Sequence, residues 1–127
     1  MILSDVLAGK RILIVEDEYF IASDLKRALA GHDAEVVGPV GDLDGALALL
    51  NKGPLNAAVL DVNLEGAFSY PVADELKAAS VPYVFLTGYD AWALPDEHRD
   101  SPRLAKPFAI AAVVAEVERL CAEEKAK

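Results

Sequence analysis

Asn56-Ala57-Ala58-Val59-Leu60-Asp61-Val62-Asn63-Leu64-Glu65-Gly66 is the stretch whose reading decides the fold. Ala57 to Leu60 is a short apolar run of the kind that forms a strand buried on both faces. It stops at a carboxylate, Asp61. A strand leaving a parallel sheet delivers its last residue to the crevice above the carboxyl ends of the strands, where open α/β folds bind ligands. Taken singly, an Asp here is more often a turn former or helix cap. The other residues delivered to the same rim decide between the two readings.

Working outward, the chain alternates strands and helices. Lys10 to Val15 reads as a strand closed by Glu16-Asp17. Phe20, Ile21, Leu25, Ala28 and Leu29 follow at helical spacing, with Gly31 as a C-terminal stop. Glu35 to Val40 is a second strand, with Gly38-Pro39 near its end. Asp42 is placed to cap a helix carrying Leu43, Ala46, Leu47 and Leu50, which Gly53-Pro54 ends. Beyond the opening stretch, Glu65 to Ser69 reads as a loop. Ser69, with Pro71 in the first turn, starts a helix that turns Ala73, Leu76 and Ala79 inward. Val81 to Leu86 is a fourth strand ending in Thr87-Gly88, and Arg103 to Ala105 a short fifth ending in Lys106-Pro107. The last helix carries Ile110, Val113, Val114, Val117, Leu120 and Cys121. Between the fourth and fifth strands, Pro95, Pro102 and the polar run 96–100 leave room for about one helical turn, over Asp90 to Leu94. A short or mobile helix is expected there.

This order predicts a flavodoxin-like (βα)5 doubly wound parallel sheet with strand order 2-1-3-4-5 and a short or irregular fourth helix. The 127 residues suit a single domain over 1–127, with its core at about 10–122. At 54% hydrophobic and 26% charged, the composition is that of a globular protein. Asp5, Lys10 and Arg11 interrupt any apolar leader, and no run reaches membrane-spanning length, so the cytoplasm is the expected location. A lone cysteine, Cys121, rules out an internal disulfide and reads as a packed core thiol. The net charge of −9 opposes binding to nucleic acid or to acidic membranes.

With the predicted strand order, Glu16 and Asp17 stand beside Asp61. As a pair, Glu16-Asp17 would do no more than favour a positive helix end. Three converging carboxylates are different, because two unit charges about 4 Å apart repel by roughly 4 kcal/mol at an effective dielectric near 20. A divalent cation relieves that repulsion. All-oxygen ligands without thiolate or histidine suit Mg²⁺, which keeps waters that a phosphate can replace. Lys106 emerges at the same edge, held extended by Pro107, and offers an ammonium to Asp61 and to a phosphoryl oxygen. Thr87 brings a hydroxyl. Taken singly, Lys106 reads as a solvated lysine and Thr87 as a β-branched strand residue. His32, in a turn, and His98, in a polar loop, lack ligand spacing and are expected to be solvent-exposed. Gly38-Pro39-Val40-Gly41 does not match a dinucleotide fingerprint.

Glu16-Asp17, Leu60-Asp61-Val62-Asn63, Thr87 and Lys106-Pro107-Phe108, each after a strand and in this order, resemble the receiver domain of two-component response regulators over about Lys10 to Ala122. The resemblance implies that Asp61 accepts a phosphoryl group from a histidine kinase or a histidine phosphotransfer protein. It implies Mg²⁺ held by Asp17, Asp61 and the backbone carbonyl of Asn63, with Glu16 acting through water. Thr87 and Lys106 would hold phosphoryl oxygens, and the Lys106-Pro107 bond would be cis. It also implies a downstream protein partner and catalysis confined to the domain's own phosphorylation and dephosphorylation. Three residues before the lysine, receivers commonly carry Tyr or Phe; here Arg103 stands there. Phe85-Leu86-Thr87-Gly88-Tyr89 resembles the FATGUY subclass of single-domain receivers, with Leu86 for its Ala and Asp90 at its last Tyr. Tyr89 or Trp92 would then report the switch. Two other readings remain: a Mg²⁺-dependent phosphatase with an aspartyl nucleophile, and a docking module that works unphosphorylated. The phosphatase reading expects a second Asp where Asn63 stands.

Overall fold

The computed structural model describes residues 6–88 and 94–126, with side chains described as far as Ala122. Its main sheet comprises β1 (Arg11–Val15), β2 (Glu35–Val40), β3 (Ala57–Asp61), β6 (Tyr83–Thr87) and β7 (Arg103–Ala105). All four pairings are parallel, in the order β2-β1-β3-β6-β7. This is the predicted 2-1-3-4-5 order once a small hairpin, β4 (Asn63–Leu64) with β5 (Ala67–Phe68), is counted in between. Helices α1 (Tyr19–Gly31), α2 (Leu43–Leu49) and α3 (Tyr70–Ala78) lie in the connections from β1 to β2, β2 to β3 and β3 to β6, and α4 (Ile110–Ala126) is the closing element.

Period-two alternation along the buried strands divides the core. Ile12, Ile14, Ala57, Val59, Val84 and Leu86 face one side, where Leu25 and Leu29 of α1 and Val113, Val117 and Cys121 of α4 cover them. Leu13, Val15, Ala58, Leu60, Tyr83 and Phe85 face the other, against Ala46 of α2 and Val72, Ala73 and Leu76 of α3. Burial on both faces explains why these strands are continuously apolar. Asp42 caps α2 as expected, accepting from the Gly45 N–H at 2.6 Å. The Lys106-Pro107 and Gly38-Pro39 bonds are both cis. Gly38 and Pro39 together stand opposite the single residue Ile14, a bulge in β2. Gly38 takes φ 91°, and a Cβ there would meet Ile14 O and Val40 N at 3.0 Å.

Several local expectations are corrected. The stretch 65–69 is not wholly loop: Glu65 and Gly66 both take positive φ, as a two-residue hairpin turn requires, and they join β4 to β5. Phe20 is 79% exposed, because it lies about 140° round the helix from Leu25 at 100° per residue. Ala79 is exposed at the C-cap of α3, and Val72 takes the inward position instead. Ser69 does sit at the N-cap with Pro in the first turn, but its hydroxyl makes no capping bond.

His98 is the largest departure. It ends a 3-10 turn (Asp96–His98) and is only 2% exposed. Its Nδ1 lies 3.3 Å from the Tyr83 hydroxyl and its Nε2 3.1 Å from Asp74 Oδ1. The ring stacks on Tyr70 and meets Phe85 edge-on. A polar run thus hides one side chain against Tyr70, Tyr83 and Phe85. The single turn expected over Asp90 to Leu94 lies mostly outside the described residues.

Candidate functional site

Each predicted side chain comes from the carboxyl end of a strand. Glu16 and Asp17 follow β1, Asp61 ends β3, Thr87 ends β6 and Lys106 follows β7. Parallel pairing makes these ends neighbours, so residues up to 90 positions apart in the chain meet at one rim. Carboxylate oxygens of Glu16, Asp17 and Asp61 all lie within 4.8 Å of one another, and among the described residues this is the one such cluster.

Lys106 Nζ sits among the acids, 3.2 Å from Asp61 Oδ2 and 3.3 Å from Glu16 Oε2. A third partner was not anticipated: Glu18 Oε2 lies 3.1 Å away. The three donors of the ammonium therefore face three carboxylates. Nothing in the spacing of Glu18 signals this contact, which spans 88 residues of chain.

The site is desolvated. Glu16 is 3% and Asp61 6% exposed. Burial pushes the Glu16 carboxyl from 4.5 up to about 7; the Glu18 backbone N–H opposes the rise and the Asp61 charge adds to it. Burial also raises Asp61, against the pull of Lys106. Burial alone would lower Lys106, but the charges of Asp61 and Glu16 outweigh it and raise its pKa above the ordinary value. One acid oxygen, Glu16 Oε1, is buried without a hydrogen-bond partner, although Lys106 Nζ lies 3.3 Å from it. A buried, unpartnered carboxylate oxygen inside a three-acid cluster suits a hard cation that takes oxygen ligands.

Thr87 is 2% exposed, and its hydroxyl makes a long 3.5 Å contact to the Leu104 carbonyl. Its own carbonyl accepts from the Lys106 N–H, tying the ends of β6 and β7 together. Asn63 N–H lies 3.4 Å from Asp61 Oδ1, and the Asn63 side chain accepts from Gly66 N–H in the hairpin turn. Tyr89 and Trp92 lie outside the described residues. His32 is exposed, as expected, 3.8 Å from Glu118. A groove of about 820 Å³ opens elsewhere, near Lys77, Tyr83, Ser101 and Leu120, and holds none of these acids. Among the described residues no helix is long and apolar enough to cross a membrane.

No protein-family model matches the chain. Among solved structures it is similar to SdrG from Sphingomonas melonis Fr1, with 41% identity, a TM-score of 0.76, and coverage of 94% of this chain and 98% of that one. The BeF3-activated conformation of SdrG matches at 43% identity and TM-score 0.72, over 89% and 98% of the two chains. The response regulator protein TrrA from Thermotoga maritima, solved in complex with Mg(2+)-BeF, matches at 25% identity and TM-score 0.74, over 87% of this chain and 98% of TrrA. Among curated proteins, the transcriptional regulatory protein PdtaR of Mycobacterium tuberculosis is 29% identical over 119 residues, 91% of this chain. The chain spans 58% of PdtaR, little more than half of that relative's length.

Proposed function

Because the chain belongs to the receiver-domain family of two-component response regulators, we propose that Asp61 is its phosphoacceptor. The observation that carries this reading is the placement of Lys106, whose ammonium touches Asp61 and Glu16 within a cluster that also holds Asp17.

The transfer needs alignment and charge neutralisation more than covalent machinery. An Asp61 carboxylate oxygen attacks phosphorus in line with the bond to a phosphohistidine nitrogen. The new P–O bond forms as the P–N bond breaks, and the imidazole nitrogen keeps the bonding pair. Lys106 already lies beside Asp61 and offsets negative charge that arrives on the phosphoryl oxygens. Thr87 has a loosely held hydroxyl that turns from the Leu104 carbonyl to a phosphoryl oxygen, drawing the end of β6 inward. Asp17, Asp61 and the Asn63 carbonyl would hold Mg²⁺ directly, with Glu16 reaching it through water. When bound, the ion neutralises the three acids and the transferred group. The Mg(2+)-BeF complex of TrrA supports this assignment.

The phosphodonor is a histidine kinase or a histidine phosphotransfer protein in the cytoplasm. The phosphorylated domain signals through the surface around β6, β7 and α4, or passes the phosphate on. It catalyses only its own phosphorylation and dephosphorylation.

The test is to incubate wild type and Asp61→Ala with acetyl phosphate and Mg²⁺ and weigh the intact proteins. One phosphoryl per wild-type chain and none on the variant is expected. No gain in wild type, or equal gain in both, overturns the assignment. Continued turnover of a small phosphate ester would point to the phosphatase instead; Asn63 stands where such an enzyme generally has its second Asp.

A further inference from the structure

Glu18 stands where an acid ordinarily caps a helix, yet it does something else. It is the N-cap of α1, and its side chain makes no capping hydrogen bond. Its carboxylate turns instead to Lys106, at 3.1 Å, while its backbone N–H donates to Glu16 Oε2 at 3.0 Å. The three carboxylates around Lys106 differ in access: the side chains of Glu16 and Asp61 are 0% and 8% exposed, whereas that of Glu18 is 59% exposed. Glu18 is therefore the solvent-side partner, and an incoming phosphodonor meets its charge before it meets the ammonium. Glu18 is not a member of the three-acid cluster, so holding a cation does not account for it.

We propose that Glu18 determines donor specificity: it occupies the outward donor of Lys106 and sets a negative charge at the entrance, which penalises small dianionic phosphodonors. The proposal rests on Asp61 being the phosphoacceptor. A phosphoryl oxygen that comes to Lys106 must take over one of its three N–H groups. The bond to exposed Glu18 is the one released at least cost, since Glu16 is buried and Asp61 is the nucleophile. Before release, the Glu18 charge repels the donor in proportion to the donor's own charge. At roughly 6 Å in a water-like dielectric, a unit charge slows the approach of a dianion about tenfold and of a singly charged donor about threefold.

Two donors separate charge from architecture. With acetyl phosphate, the Asp61 oxygen bonds to phosphorus as the P–O bond to acetate breaks, and acetate leaves with the pair. With phosphoramidate, whose ammonium nitrogen cancels one charge, the P–N bond breaks and ammonia leaves. Initial labelling rates are measured by intact mass for wild type, Glu18→Gln and Glu18→Asp with Mg²⁺ at low and high salt. In Glu18→Gln the ratio of acetyl phosphate to phosphoramidate rates rises about threefold, and high salt removes the rise. Glu18→Asp keeps the wild-type ratio even where its absolute rates change. Because each ratio is internal to one variant, a partly unfolded sample does not alter it. Labelled wild type with an unchanged ratio in Glu18→Gln overturns the proposal, as does a Glu18→Asp ratio that moves with Glu18→Gln. Unlabelled wild type removes the phosphoacceptor reading itself, and this proposal with it.

Discussion

Neutralising Glu16 by Glu16→Gln should abolish most of a pH dependence that the wild-type fold carries. Burial, not a partner, dominates the Glu16 carboxyl and raises it from 4.5 to about 7. The folded chain then holds this proton more tightly than the unfolded chain. Stability from this group is therefore full below pH 4.5 and is lost as pH rises towards 7. The full gap corresponds to about 3 kcal/mol at roughly 1.4 kcal/mol per pH unit. Between about pH 5.5 and pH 7.5 the linkage relation leaves about 2 kcal/mol, or roughly 1 M in the urea midpoint. Asp61 is raised by the same cause and works in the same direction. Surface acids also titrate, so the quantity to read is the wild-type change minus the Glu16→Gln change, from urea denaturation without divalent cations. A wild type whose midpoint does not fall on raising the pH refutes the reasoning. So does a Glu16→Gln variant with the same pH slope, since the slope would then come from other groups.

Lys106→Met leaves Asp61 in place but removes the ammonium, and initial labelling rates with acetyl phosphate should fall about a hundredfold; a rate within threefold of wild type would mean that Lys106 is only a structural ion-pair partner. His98→Ala strips two polar contacts and a stacked ring from a closed space, at a cost of about 2–4 kcal/mol by chemical denaturation. A loss within about 0.5 kcal/mol, the range of an ordinary surface change, would contradict its burial. Gly38→Ala places a methyl against Ile14 O and Val40 N at positive φ and should lower stability by about 1–3 kcal/mol; an unchanged melting temperature would show that the β2 bulge is not held as described.

Much of the site was legible because its signals are local. Apolar runs that stop at Glu16, Asp61, Thr87 and Lys106 mark strand ends, and a parallel sheet carries strand ends to one rim whatever the details of packing. The hairpin after Asp61 was missed, although Glu65-Gly66 is a two-residue turn between Asn63-Leu64 and Ala67-Phe68. Two-residue strands carry too little alternation to stand out from a loop.

Chain order and apolar rhythm by themselves determined the sheet, its strand order and the set of acids and lysine at its edge. Tertiary structure alone decided which polar groups lose their water. His98 sits in a run of charged residues, and only contacts with Tyr70, Tyr83, Phe85 and Asp74, from elsewhere in the chain, bury it. Glu18 carries no signal in the sequence, and its ion pair exists only because Lys106 arrives from 88 residues away. Backbone periodicity follows from neighbours in sequence. Desolvation and charge pairing follow from neighbours in space, and those exist only once the sheet has closed.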